Sequence, residues 1–206
     1  LRHGKHPTTD LPLAQVPECE AFVRAVIFQR VLRPLAPIYL PGLLPEHLEW
    51  RDAFFVKYSA ASGAQRALEL HTDGSIFSFN VLLSDPADFD GGGTFFELPP
   101  TPTTAQYRVE CSGGDEGGSV SGATIKPPRG AALGHSGQIR HSGVAITRGE
   151  RYLLVGFMGC AETPYSVQNV EWAAHDAFLK FGESAFSRSE ECTAIDQHEN
   201  GSSVPV

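Results

Sequence analysis

From Ala53 onward the chain falls into short runs in which apolar and polar positions alternate or apolar residues dominate: AFFVKYS, RALELHTD, SIFSFNVLLS, GTFFEL, SVSGATIKP, GAALGH and RYLLVGFM. A period of two sends successive side chains to opposite faces, so these runs predict β-strands buried on one face or both. The clusters DPADFDGGG and TRGE read as turns between them. Many short strands with no long helix between them predict an antiparallel jelly roll, mainly β with flanking helices.

Upstream the period changes. Phe22 with Val26, and Val23 with Ile27 and Val31, form an i, i+4 stripe that predicts a helix over 18–33 packed on a sheet. Pro17 precedes it, Glu18 and Glu20 lie in its first turn, and Arg30 and Arg33 lie near its end, as the helix dipole favours. Pro34 and Pro37 are expected to kink or end this helix, and the Pro41-Gly42 turn with Pro45 to lead into a short helical piece around Glu46–Arg51.

Between strands, Pro99–Gly118 is rich in Pro, Thr and Gly and too polar for core; it reads either as a lid or as a plain surface hairpin loop. Past Cys160 an amphipathic helix is expected near Val170–Phe181, and a polar tail from Ser187. The organisation expected is an N-terminal extension over 1–17, one domain over 18–160, and a C-terminal helix and tail over 161–206. No internal repeat is visible.

Composition changes this picture little. With 206 residues, 41% hydrophobic and 10% aromatic, the chain can bury one core of ordinary size. A formal charge of −8 and the lack of clustered Lys and Arg argue against bulk nucleic-acid binding. No apolar run reaches the roughly 18 to 20 residues that cross a bilayer, so no membrane partner is expected. LRHGKHPTTD carries no apolar leader segment, which gives the expectation of a soluble chain; it starts at Leu1, and compartment and oligomeric state stay open. Cys19, Cys111, Cys160 and Cys192 form no CxxC pair, which disfavours structural zinc and permits two disulfides without implying them. Asn200-Gly201-Ser202 fits a glycosylation acceptor, a triplet short enough to carry little weight.

Chemistry concentrates in two places, HTD at 71–73 and HSGVAITRGERYLLVGF at 141–157. An HxD triplet alone is weak evidence. Here it sits where an apolar strand opens into a turn, and alternation puts His71 and Asp73 on one side. His141, its strand partner expected across the barrel, would complete two imidazoles and one carboxylate, the set that holds non-haem Fe(II) while leaving positions for a co-substrate and dioxygen. A single histidine is more often an ordinary core or surface residue; the company of Arg151 shifts the balance. Arg151 stands at the head of an apolar strand, where an unpaired guanidinium is costly. Its planar fork suits a carboxylate such as the distal end of 2-oxoglutarate, the competing reading being an internal salt bridge to Glu150 or another acid. Tyr58 is a candidate donor to the same carboxylate or an ordinary core tyrosine. Asn80, in an otherwise apolar strand, is a candidate for the other co-substrate carboxylate or a structural residue. His135 reads as a wall beside the ligands, Arg148 as a solvated neighbour of Arg151, and Gly91–Gly93 as a tight turn with close backbone approach.

These residues carry a resemblance. FVKYSAASGAQRALELHTDGSIFSFNVLLSDPADFDGGGTFFE followed by PPRGAALGHSGQIRHSGVAITRGERYLLVGF resembles the catalytic domain of procollagen lysyl hydroxylases, among the prolyl 4-hydroxylase-like 2-oxoglutarate- and Fe(II)-dependent oxygenases. RPLAPIYLPG at 33–42 is similar to the helix and turn before the first strand of that family. The resemblance implies a double-stranded β-helix (a jelly roll, cupin-like), Fe(II) at His71, Asp73 and His141, 2-oxoglutarate on Arg151, and ascorbate in support. It implies a dioxygenase that hydroxylates an unactivated C–H bond of a small-molecule or peptide substrate, peptidyl lysine or proline among them, with decarboxylation of 2-oxoglutarate to succinate. Asp73 fills the position a halogenase leaves open. The rival readings are a catalytically silent cupin-like metal-binding module, an N-demethylase using the same core, and a zinc or manganese hydrolase, which leaves Arg151 without a reason.

Overall fold

The computed structural model describes residues 8–39, 44–99, 105–108 and 119–160. Its strands are β1 (Asp10–Pro12), β2 (Leu48–Ser59), β3 (Leu68–His71), β4 (Phe77–Leu82), β5 (Phe89–Gly91), β6 (Thr94–Glu97), β7 (Ala105–Arg108), β8 (Ser119–Ile125), β9 (Ala132–Ser136), β10 (His141–Gly143) and β11 (Ile146–Cys160). They form two antiparallel sheets, one in the order β1-β2-β11-β4-β9 with β5 on β11, the other in the order β3-β10-β6-β8-β7. This is the mainly β, double-stranded β-helix architecture expected from the strand pattern and the family resemblance.

The long strand β11 runs through the middle of the larger sheet, paired with β2 on one side and β4 on the other. Alternation divides its side chains: Arg151, Leu153, Val155 and Phe157 face the cavity between the sheets, while Leu154 and Met158 face the helices outside. A bulge at the β11 Phe157/Met158 step, where Asp52 and Trp50 are paired but Arg51 is passed over, resets β2. Phe54, Val56 and Tyr58 thus line the interior, while Leu48 and Trp50 join the helix-facing core. Trp50 packs edge-on against Phe79 at 5.9 Å and carries the Arg24 guanidinium 4.7 Å from its ring centre.

The helical segment differs from expectation. It starts at Pro17 as α1 (Pro17–Ile27), widens into a π-helical turn over Phe28–Leu32, and resumes as α2 (Arg33–Tyr39), so Pro34 does not end it. A proline clashes with the carbonyl four residues back, and a π turn just upstream moves that carbonyl aside, which lets the helix pass Pro34. Only half of the predicted stripe is core: Ile27 and Val31 are buried and Val23 packs beside them, whereas Phe22 is 71% exposed and Val26 is exposed as well. Ile27, Val31, Leu32 and Ala36 meet Phe77, Phe79 and Leu154 on the outer face of the larger sheet. Each of the larger buried side chains contributes about 1.5–3 kcal/mol, and Ala36 less.

Two more expectations are corrected. The helical piece around Glu46–Arg51 is a single 3-10 turn, Pro45–His47, because from Leu48 the backbone already pairs with Cys160 in the sheet. TRGE is not a turn between strands but the irregular first part of β11, where Gly149 takes φ +73 and pairs with Phe89. The short strands β1, β5, β7 and β10 were not foreseen. Of the Pro99–Gly118 segment, β7 pairs with β8; its remainder past Pro99, the Pro41-Gly42 turn, the expected helix at 170–181 and the tail lie outside the described residues.

Candidate metal centre and carboxylate clamp

His71 closes β3, and His141 opens β10 directly opposite it in the antiparallel ladder. Their strands are neighbours in one sheet, which corrects the expectation that the partner of His141 lies across the barrel. Asp73 sits beyond the end of β3, in an irregular stretch with Gly74 at φ +63, tied down by the Asp73 N–H donating to the Gly137 carbonyl at 2.9 Å. The strand therefore stops before Asp73, yet the acid still returns to the histidines. Asp73 Oδ1 lies 3.3 Å from His71 Nε2 and 3.5 Å from His141 Nε2, with all three side chains nearly sealed from solvent. Their candidate ligand atoms lie within 4.8 Å of one another, close enough to share one ion.

The backbone sets the histidine tautomers. His71 Nδ1–H donates to the Glu69 carbonyl at 2.6 Å and His141 Nδ1–H to the Ile139 carbonyl at 2.9 Å. In each neutral ring this leaves Nε2 as the lone-pair donor toward the centre, the arrangement that ligating histidines need. Burial works to raise the Asp73 pKa, but the bond to His71 and the fields of His141 and His135 outweigh it and hold the carboxyl well below the usual range. Burial works against a charged His71 too, and there the Asp73 partner and the Glu69 carbonyl win, raising it. His141 is held low by burial, reinforced by His135, so its imidazole is neutral at physiological pH.

His135 stands beside this group without belonging to it. It is buried, its ring centre lies 4.4 Å from that of His141, and Phe96 packs edge-on against it at 5.1 Å. Burial lowers its pKa, and its Nδ1–H donates to the Ser136 carbonyl at 3.0 Å.

The same cavity, about 430 Å³, extends from the three candidate ligands to Arg151. Arg151 is 2% exposed and pairs across the sheet with Tyr58, its guanidinium 5.7 Å from the Tyr58 ring centre. Among the described residues it has no carboxylate partner; Nη1 donates to the Gly93 carbonyl at 3.2 Å. Glu150, the rival partner, is taken by Lys57 at 2.6 Å and by the Tyr152 hydroxyl. Arg148 is exposed and ion-paired with Asp90 at 2.6 Å. Gly91, Gly92 and Gly93 all have positive φ, and a Cβ on Gly92 would lie 3.2 Å from Arg151 Cδ, so the glycine run is the close backbone approach that walls the guanidinium in. Burial lowers the Arg151 pKa, with Tyr58 opposing. Burial likewise pushes the Tyr58 phenol up to about 12, so it is a protonated donor. Asn80 lines the cavity with Oδ1 buried and unpartnered among the described residues.

His71, Asp73 and His141 thus converge at one end of a cavity, and Arg151 and Tyr58 form the other, with Asn80 in the wall. Ser78 and Thr94 line the cavity too and were not singled out in the sequence. Alternation along SFNVL puts Ser78 on the face of Asn80, a signal available but unused; nothing local marks Thr94.

Two sheets closing over a buried His-Asp-His group, with sequence similarity to procollagen lysine hydroxylases, mean that the chain belongs to the 2-oxoglutarate- and Fe(II)-dependent oxygenase superfamily. It is 30% identical over 159 residues to human procollagen-lysine,2-oxoglutarate 5-dioxygenase 2, covering 74% of this chain and 18% of the relative. It is 28% identical over 157 residues to the rat multifunctional procollagen lysine hydroxylase and glycosyltransferase LH3, covering 74% of this chain and 17% of the relative. The chain spans less than a fifth of the length of these curated relatives. No family model matches. Among solved structures, a Burkholderia pseudomallei oxidoreductase of the 2OG-Fe(II) oxygenase family superposes with a TM-score of 0.37 at 19% identity, over 54% of this chain and 45% of its own. A Phytophthora capsici prolyl 4-hydroxylase gives 0.43 at 12%, over 94% and 72%.

Proposed function

We propose that the chain is an Fe(II)- and 2-oxoglutarate-dependent dioxygenase that hydroxylates an unactivated C–H bond. The balance is R–H, dioxygen and 2-oxoglutarate giving R–OH, succinate and carbon dioxide. One observation carries the reading: Arg151, buried and without an anionic partner among the described residues, faces the same cavity as three convergent metal-ligand side chains. A buried lone cation is costly, so the site is complementary to a carboxylate that arrives with the ligand.

The donor set fits the ion. His71 and His141 would hold Fe(II) through Nε2 and Asp73 through Oδ1, a two-histidine, one-carboxylate arrangement that leaves coordination positions for other ligands. Bound ferrous iron supplies the redox chemistry that couples reduction of dioxygen to decarboxylation of the 2-oxo acid and oxidation of the substrate. The protein orients and shields. Arg151 and Tyr58 hold the distal carboxylate, Asn80 presents a polar edge to the other end, and Phe54, Val56 and Leu153 keep water from the middle of the cavity. Ascorbate would support activity, as the resemblance to the lysyl hydroxylases implies.

The substrate we infer is a small molecule or a peptide, peptidyl lysine or proline included, the lysine by analogy with the named relatives. The test is anaerobic metal analysis followed by succinate release with iron, ascorbate and 2-oxoglutarate across peptides and amino acids, with His141→Ala as the blank. Succinate above the blank that depends on dioxygen supports a dioxygenase, and formaldehyde beside it identifies N-demethylation. Metal binding with no succinate, even uncoupled from a substrate, shows a silent cupin-like module.

A further inference from the structure

We propose that Arg51 is a positioning residue for the candidate metal centre, aimed by the bulge in β2 at the stretch of chain that carries Asp73. This rests on the reading that His71, Asp73 and His141 hold a divalent ion. Of the three, Asp73 alone lies outside a strand, since β3 ends at His71 and β10 begins at His141. Its place therefore depends on what holds the backbone on either side of it. Before it, the Asp73 N–H donates to the Gly137 carbonyl at 2.9 Å; after it, Arg51 Nη1 donates to the Gly74 carbonyl at 2.8 Å. Gly74 takes φ +63, which glycine reaches and leaves with equal ease. The bond from Arg51 removes that freedom.

Reaching Gly74 from β2 is a long step. In the larger sheet β11 lies between β2 and β4, and Gly74 stands just ahead of β4, so the Arg51 side chain has to cross β11. Two strand spacings amount to about 9–10 Å, which calls for a long side chain with donors at its tip. Two local features let it cross. Where the register passes from Phe157 opposite Asp52 to Met158 opposite Trp50, Arg51 is the extra residue, and a bulge of this kind re-aims a side chain. On β11 the stem then runs over Gly159, where a Cβ would lie 2.9 Å from Arg51 Cδ and 3.0 Å from Cγ.

A bulge, a glycine and a bond across the sheet thus share one member, Arg51. Each has a bland explanation alone; together they describe a side chain led from one strand, over a second, to the residue after a candidate ligand. A hydrogen bond with a charged donor is among the stronger ones, and this one acts on the backbone that sets the direction of the Asp73 carboxylate. The sign of the effect separates the bond from the charge. Arg51 is exposed, and a cation there repels a metal ion weakly through screening water. Removing it for its charge alone would strengthen metal binding; removing the bond weakens it.

The test is Mn(II) binding to the metal-free full chain, by anaerobic calorimetry, for wild type, Arg51→Met, Arg51→Lys, Gly159→Ala and the Arg51→Met/Gly159→Ala double variant. Arg51→Met, which keeps the stem and loses the donors, should weaken Mn(II) about tenfold, the low end of what partners behind metal ligands contribute. The urea midpoint of the metal-free protein should stay at the wild-type value, because the side chain is exposed. Arg51→Lys, with a donor on a slightly shorter stem, should recover at least about threefold of that loss. Gly159→Ala should weaken Mn(II) several-fold by displacing the stem, and should add nothing in the Arg51→Met background. Wild-type Mn(II) affinity in Arg51→Met, a loss matched by a lower urea midpoint, or Arg51→Lys no better than Arg51→Met overturns the role of Arg51. A full further loss in the double variant overturns the path over Gly159. Wild type that takes no Mn(II) overturns the metal reading itself, a separate and recognisable result.

Discussion

Arg151→Met should stabilise the protein without its co-substrate while weakening co-substrate binding at least about a hundredfold. The guanidinium is 2% exposed, has one acceptor in the Gly93 carbonyl, and faces no carboxylate among the described residues. Removing a buried charge of this kind relieves a desolvation penalty of about several kcal/mol. Against that stand the lost bond to Gly93, about 1.5–3 kcal/mol, and the lost contact with the Tyr58 ring, about 1 kcal/mol. Methionine refills much of the side-chain volume, so the expected net is about 1–2 kcal/mol of added stability, within what replacing buried ionic groups has given elsewhere. Losing the carboxylate partner costs about 3–5 kcal/mol of binding, which is a factor of roughly 100 to 5,000 in Kd. Urea unfolding of the Mn(II)-loaded protein with and without 2-oxoglutarate reads both effects. Wild type should gain about 2.7 kcal/mol at a ligand concentration of a hundred times Kd. The variant should start higher and gain no more than about 0.4 kcal/mol. A variant less stable than wild type in the absence of ligand, yet still stabilised by it, would show that Arg151 is a structural residue whose partner lies in the protein.

Three further outcomes follow from the geometry. His135 and His141 are both held neutral by burial, so their folded pKa values lie below the unfolded value of about 6.5; the stability they contribute is complete above that pH and is lost as pH falls, at up to about 2.7 kcal/mol per unit for the pair. His71, raised instead, is protonated in both states below about 6.5 and adds no slope there, so the urea midpoint of the metal-free protein should drop between pH 6.5 and 5.5, and a flat midpoint would refute the burial argument. Gly143→Ala places a Cβ 2.9 Å from Tyr58 Oη, so calorimetry should show 2-oxoglutarate binding weakened several-fold with metal affinity kept; unchanged binding would remove Tyr58 from the clamp. Ile27→Ala should cost about 2–4 kcal/mol in urea unfolding and Phe22→Ser less than about 0.5, and equal costs would mean that both faces of α1 are covered in solution.

What the sequence disclosed follows from how local each signal is. The apolar runs at 53–59, 77–82 and 151–158 declare strands by themselves, because burial between sheet and helix or between two sheets demands apolar side chains whatever lies opposite. Arg151 is legible for the opposite reason: a permanent charge at the head of such a run has to be answered by something. The three-residue strands β1, β5 and β10 carry too few residues to show a period, and what makes them strands is their neighbours. Pro34 misleads because the π turn that accommodates it is a property of backbone hydrogen bonding upstream, with no residue type to announce it.

The candidate site divides along the same line. His71 and Asp73 are close in sequence, and His141 declares itself by its offset from Arg151, so the three residues that converge as candidate ligands could be picked out together. That Arg151 comes level with Tyr58, and that the Tyr58 hydroxyl lies beside Gly143, is a matter of register and packing between strands. Gly143 is the instructive residue: on its own it reads as a strand weakener, but opposite Thr94 and against Tyr58 its missing side chain is the space into which a phenol points. A chain with alanine there could keep every strand, every candidate ligand and the arginine, and still lack the room for a phenol beside the buried guanidinium.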